Sequence, residues 1–356
     1  MTGLTLAGGP HVHSKFSVSR TMVSVMICLS PATAFGLLQF GLPALFLFGV
    51  TVLSALAFEL LCLALAGKPL LRFATDGSAL LTGWLVAMTL PPWAPWWVGV
   101  AGAGIAIVIG KHAFGGLGQN LFNPAMVARA MLLVALPVEM TSWVAPMGPQ
   151  ASPALADALA ITFGSGGAVD AIASASPLGH MQSQRDAGLP MARIVAEGPD
   201  ILQLFYGFRP GSLGETSAAL LFAGGVCLVL LRIITLAVPV AVLGSVALLS
   251  GAAWLIDPAQ FPPPQHHLVS GSLMLCAFFI ATDYVTSPLT GPGKLIYGAG
   301  IGALIFVIRS FGSFPEGVAF AVLLMNACTP LIDAYVRPRV FGRTRRGDPL
   351  PLERST

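Results

Sequence analysis

Ten apolar runs, each close to the thickness of a bilayer, take up most of this chain. They leave a single long polar interval, residues 138–214. A spanning helix needs about 20 apolar residues. The runs fall near 21–38, 40–66, 77–91, 94–110, 123–137, 215–231, 234–256, 268–284, 295–310 and 316–334. In hydrocarbon the backbone must satisfy its own hydrogen bonds, so only helices and closed barrels cross. Runs this long select helices. Charge agrees: 9% of residues are charged, against about 25% in a soluble domain. The expected fold is an all-α polytopic membrane protein of about ten transmembrane helices, with lipid as its main surroundings. The net charge of +3 is small and gives no reason to expect nucleic acid.

Basic residues set the orientation, because short cytoplasmic loops and tails collect lysine and arginine. With ten spans and an inside N-terminus, thirteen of the 18 basic residues fall inside, among them Lys68, Lys111, Arg232, Lys294 and the tail from Arg337. Arg185, Arg193, Arg209 and Arg309 fall outside. Both termini are therefore expected in the cytoplasm, and 138–214 outside. The five cysteines lie within apolar runs and form no Cys-x-x-Cys, so they read as small packed hydrophobes. The spacing of the histidines shows no metal constellation.

The two halves look alike. Asp76-Gly-Ser-Ala-Leu-Leu-Thr-Gly83 opens the third run, and Ser270-Gly-Ser-Leu-Met-Leu275 opens the eighth. Val127-Ala-Arg-Ala-Met-Leu-Leu133 lines up with Val318-Ala-Phe-Ala-Val-Leu-Leu324. Five spans per half is odd, so the halves are expected to be inverted across the membrane, as in transporters with ligands near the midplane. The domain plan follows: 1–20 a cytoplasmic tail, 21–137 the first five-helix repeat, 138–214 the extracytoplasmic insertion, 215–334 the second repeat and 335–356 a basic tail. Prolines after the third run, in Thr89-Leu-Pro-Pro-Trp-Ala-Pro95, and after the eighth, in Thr282-Asp-Tyr-Val-Thr-Ser-Pro288, free backbone carbonyls at matching places.

Ionisable residues inside apolar runs are costly and mark function. Glu59 either snorkels to the cytoplasmic end of its helix or lies on an ion path. Arg129 sits mid-helix and must pair with a side chain or a ligand. Asp283 ends the eighth run, caps the next turn and is the second ion-path candidate. The loop at 110–125 is rich in glycine, and Asn123 before Pro124 reads as an N-cap with proline at the first helical position. Glu215 and Thr216 are placed to cap the sixth helix. Within the insertion, Asp170-Ala-Ile-Ala-Ser-Ala-Ser176-Pro-Leu178 is a small, hydroxyl-rich turn. The proline pushes Ser176 toward extended geometry, which is expected to present its hydroxyl outward.

Taken together and in this order, these motifs resemble the NqrB/RnfD family. Its members are the D subunit of the Rnf electron-transport complex and the B subunit of the sodium-pumping NADH:quinone oxidoreductase. The resemblance runs from about residue 20 to 340, and the chain length fits the Rnf branch better. It implies a urea-channel-like fold and FMN joined through its phosphate to a hydroxyl in Asp-x-x-(Ser/Thr)-Gly-Ala-Thr. Mapped here, Asp170 takes the Asp place, Ala173 the first hydroxyl place, Ser174 the Gly place and Ser176 the acceptor place. Three of those positions depart from the pattern. Serine keeps the acceptor oxygen and loses a methyl, while Ser174 competes as an acceptor. Arg129, Glu215 and Thr216 are the further cofactor-binding candidates. The resemblance also implies riboflavin as a second flavin, a flavin transferase, and the A, B, C, E and G subunits as partners. The expected role is electron relay in an ion-translocating ferredoxin:NAD oxidoreductase, with no complete active site on this chain. The competing readings are a small-solute channel without a redox cofactor and a structural scaffold.

Overall fold

The computed structural model describes residues 17–70, 75–148, 152–164, 173–174, 176–312, 314 and 316–338. The protein is mostly helical. Among the described residues six helices are long and apolar enough to cross a membrane: Val18–Phe40, Leu42–Leu65, Trp96–Phe114, Ala237–Ile256, Gly291–Phe311 and Val318–Tyr335. Ser78–Thr89, Pro124–Ala135 and Ala218–Leu230 are apolar but shorter. The eighth apolar run is broken. The short helix Pro264–Val269 leads into it, followed by a left-handed Gly271 at φ +66°, the single turn Leu273–Leu275 and the π-helical Cys276–Ile280.

Caps fix several starts. Asn123 accepts from the Ala125 and Met126 amides with Pro124 at the first position, as its sequence predicts. The sixth helix differs from expectation: its cap is Ser217, whose hydroxyl accepts from Leu220 N. Thr216 instead donates to Leu213 O, and Glu215 closes a 3₁₀ turn. The polar interval holds the short helices Leu155–Phe163, Pro177–Asp186, Met191–Glu197 and Ile201–Tyr206. It also departs from an all-α description in one place, where Trp143 and Val144 pair antiparallel with Ser174 and Ala173.

Small residues bring the long helices together, as they must where lipid removes the hydrophobic drive between helices. Gly83 and Gly99 lie against Val52, Ala55 and Thr51 of Leu42–Leu65. Gly298 and Gly302 lie against Val238, Ala241, Val242 and Ser245 of Ala237–Ile256. Outward faces carry bare Leu53, Leu248, Leu255, Ile256 and Leu331, which suits acyl chains. The core fills the centre with Leu29, Met88, Met126, Ile301 and the buried Tyr297, whose hydroxyl reaches Asn326 at 2.6 Å.

A methyl at Gly302 would sit 2.5 Å from the Val242 carbonyl oxygen and strike Ser245 Oγ, whereas a methyl at Gly244 meets nothing within 4 Å. Gly302→Ala should therefore destabilise by about 1–3 kcal/mol and Gly244→Ala should not. Thermal melting of the two purified variants checks the contrast.

Candidate functional site

Helix Ser78–Thr89 has a buried ionic cluster at each end. Its 12 residues rise by 1.5 Å each, so the clusters are roughly 17 Å apart.

At the N-terminal end, left-handed Gly77 turns the chain so that Ser78 faces inward. The Ser78 hydroxyl donates to Asp76 Oδ1 at 2.6 Å and accepts from Lys111 Nζ at 2.8 Å. Lys111 also meets Glu59 Oε1 at 2.8 Å, and His112 Nε2 lies 2.9 Å from Glu59 Oε2. Glu59 and Lys111 are each 2% exposed. Glu59 thus does not snorkel: its partner is fixed inside the bundle. Lys111 is brought there by the π-helical stretch Ile105–Lys111, a distortion common at functional sites. The sequence places Lys111 in a loop, because a π turn leaves no mark in hydropathy.

At the C-terminal end, Arg129 donates to the Thr89 carbonyl and to Glu316 Oε2 at 2.9 Å, with Glu215 Oε1 at 3.4 Å. Glu316 is shared with Arg309 (3.4 Å) and accepts from the Ser272 hydroxyl at 2.8 Å. Arg309 also donates to the carbonyls of His267 at 2.9 Å and Ser270 at 3.0 Å. Ser212 donates to Glu215 Oε1 at 2.9 Å, and Arg209 Nε donates to Glu215 O at 2.8 Å. Arg129 is paired, as its position demands. The partners Glu316 and Arg309 escaped sequence reading because they sit at helix ends, where charge is ordinary. The one signal available was the Gly-Ser pair repeated before the third and eighth runs.

Beside the N-terminal cluster lies a cavity of about 800 Å³ including its open mouth. Leu85, Phe278 and Phe279 line it, with Lys111, Asn123 and Asp283 as polar points. Asp283 accepts from Val285 N at 3.3 Å and the Thr286 hydroxyl at 3.2 Å, and so caps the next turn. A second hollow, about 730 Å³ on the same measure, is lined by Glu59, Lys68, Asp76 and His112. Lys111 and Ser78 wall the first hollow while Glu59 and Asp76 wall the second, so the Glu59–Lys111–Ser78 chain separates them.

Ser176 is extended, at φ −63° and ψ 154°, as a residue before proline should be. Its hydroxyl does not point outward, however. Ser176 is 7% exposed and caps Pro177–Asp186, accepting from Gly179 N at 3.2 Å. The chain two residues on is packed down: Leu178 Cδ1 lies 3.0 Å from where a Gly271 Cβ would be, beside Arg309 and Glu316. This packing, invisible to a local reading, turns the hydroxyl inward. Ser174 pairs with Trp143, and Asp170 lies outside the described residues.

Known proteins resemble this chain along almost its whole length. The model of the NQR2, RnfD, RnfE family matches residues 5–342. The chain is 60% identical over 300 residues to the D subunit of the ion-translocating oxidoreductase complex of Rhodobacter capsulatus, covering 84% of each. For the protein of the same description from Stutzerimonas stutzeri the figures are 51% over 336 residues, 94% of this chain and 95% of that one. For that of Halorhodospira halophila they are 45% over 351 residues and 98% of each.

Removing one member of a buried ion pair strands the other and costs about 3–5 kcal/mol. Glu316→Ala and Arg129→Met should each lower stability on that scale, and the double variant should cost less than their sum. A double-mutant cycle on melting temperatures measures the coupling.

Proposed function

This chain belongs to the NQR2, RnfD, RnfE family, and on that premise we propose that it relays electrons within an ion-translocating oxidoreductase complex through FMN esterified to Ser176. The relatives' description as the D subunit of such a complex supports the role. The capping geometry of Ser176 supports the attachment point. A phosphoester at the N-terminus of a ten-residue helix meets backbone N–H groups and the positive end of the helix dipole. The Gly179 amide already directed at Ser176 Oγ is one such donor. Bound there, the flavin supplies one-electron and two-electron chemistry.

This chain's own residues hold and orient. Leu178 presses the turn against Gly271 beside Arg309 and Glu316, so a flavin esterified at Ser176 would be carried on a packed turn and not on a free loop. Because Ser176 is buried, the transferase must meet the turn undocked. Arg129 joins Glu316 to Glu215, and Thr216 is engaged with Leu213 O. The cavity walled by Leu85, Phe278 and Phe279 is mostly apolar with a few polar points, the character of a cofactor site, and is the place this reading gives to riboflavin as the second flavin. Glu59 and Asp283 lie along the route through the two hollows and are the ion-path residues of this reading.

The finer architecture belongs to the same proposal: ten spans in two inverted five-helix repeats, both termini cytoplasmic and 138–214 outside. Pseudo-equivalent side chains support it. Lys111 ends the fourth helix of the first half and reaches back to Gly77-Ser78. Arg309 lies at the end of the fourth helix of the second half and reaches back to Ser270-Gly271-Ser272 through Ser270 O and Glu316. The solute-channel reading shares the inverted plan, but the Glu59–Lys111 wall across the route favours relay over free passage. The chain's partners are then the A, B, C, E and G subunits of the complex, with NAD and ferredoxin acting on them.

A denaturing gel viewed under ultraviolet light tests the proposal. A fluorescent band should survive SDS, persist in Ser176→Thr and Ser174→Ala, and disappear in Ser176→Ala. A band that persists in Ser176→Ala overturns the attachment point, and its absence from assembled wild-type protein overturns the flavin relay.

A further inference from the structure

A small cavity lies beside helix Pro177–Asp186, with Leu178, Gln182, Arg185, His267, Arg309 and Ser310 among its walls. Its free room is about 30 Å³, enough for two or three waters at the ~10–15 Å³ that each needs. Four polar atoms of its lining are sealed from solvent and lack a hydrogen-bond partner among the described residues. They are Arg309 Nε, both ring nitrogens of His267 and Ser310 Oγ. His267 and Arg309 are only 4% and 6% exposed. A buried donor left unmade is among the costlier defects in a fold, and here several share one hollow.

The lining supplies donors, and its charge is positive. Arg309 spends both Nη groups on the His267 and Ser270 carbonyls and on Glu316, which leaves Nε free. Arg185 donates to Ser310 O at 2.8 Å, and Gln182 Nε2 donates to Gly312 O at 2.9 Å. Burial, reinforced by Arg309, pushes His267 down to about 3, so its ring is neutral near pH 7 and carries one N–H. The wider cluster is also one negative charge short among the described residues. Arg129, Arg209 and Arg309 face Glu215 and Glu316, and Arg209 Nη1 has no partner. Uncompensated buried charge is expensive. Water would answer the free donors and leave that charge unbalanced.

We propose that this cavity binds a monatomic anion of chloride size, held by Arg309 Nε, Ser310 Oγ and the His267 ring. The small free room favours such an ion over phosphate and other tetrahedral oxyanions. The ion ties the end of helix Gly291–Phe311 to helix Pro264–Val269, and so steadies the platform that Arg185 and Gln182 of helix Pro177–Asp186 grip at Ser310 O and Gly312 O. It requires no flavin at Ser176.

Two measurements on the full-length protein in detergent test the site. The first is thermal melting at equal ionic strength in chloride, bromide, phosphate or gluconate. The second is diffraction at the bromine absorption edge from crystals grown in bromide. Chloride and bromide should raise the melting temperature by about 2–4 °C over gluconate, with saturation. A bromine peak should lie within about 3.5 Å of Arg309 Nε and Ser310 Oγ. The halide effect should vanish in His267→Phe, whose ring fills the hollow, and shrink in Ser310→Ala, without lower melting in gluconate. Equal melting in halide and gluconate, water alone at the site, protection by phosphate but not halide, or an undiminished halide effect in both variants would each overturn the assignment.

A pH scan in gluconate adds a check on His267. The folded-state pKa lies below the unfolded value, so the unfolded chain takes up a proton that the folded one refuses. Stability should be flat above about 6.5 and fall as pH drops from there toward 3. His267→Phe should flatten that fall.

Discussion

An ionised side chain buried inside this bundle demands an opposite charge or hydrogen-bond partners, because burial strips it of water. That constraint accounts for the main features of the structure. Arg129 and Glu59, each placed mid-run by the sequence, are held by partners from distant parts of the chain: Glu316 lies 187 residues from Arg129, and Lys111 lies 52 residues from Glu59. Breaks in the helices serve those meetings. Left-handed Gly77 and Gly271 aim Ser78 and Ser272 at the clusters, and the π-helical stretch before His112 brings Lys111 inside. Charge pairing and helix distortion are thus one design.

How much of this could be read beforehand depends on the range of the interaction. The long helices were visible because hydropathy is summed over many neighbours. Asn123 and Pro124 were visible because a cap and its proline are adjacent. The Ser217 cap was missed in favour of Glu215 and Thr216 because several polar residues in a row compete and only packing selects one. The need of Arg129 for a partner could be foreseen from its surroundings, but the identity of that partner could not. Glu316 follows a helix end, where a carboxylate is unremarkable until the fold brings Arg129 and Arg309 to it. The broken eighth run shows the same limit. Its apolar composition reads as a continuous span, and only Gly271 with Pro264 hints at the interruption.

The Ser176 turn joins local chemistry to this framework. Pro177 dictates an extended backbone there, and the fold has it. The outward hydroxyl expected with it is absent. The difference comes from Leu178 against Gly271, a contact between the polar interval and the broken helix. A cofactor carried there is therefore coupled mechanically to Arg309 and Glu316, and through Glu316 to Arg129 and the far end of Ser78–Thr89.

That short helix has an electrical consequence. At roughly 17 Å it is little more than half as long as a hydrocarbon slab of about 30 Å is thick. With charged groups at both its ends, the apolar separation between them is correspondingly short. In a uniform field a charge carried from Glu59 to Glu316 would do a little over half the work of a full crossing, about 1.3 kcal/mol per 100 mV, over a path only three helical turns long.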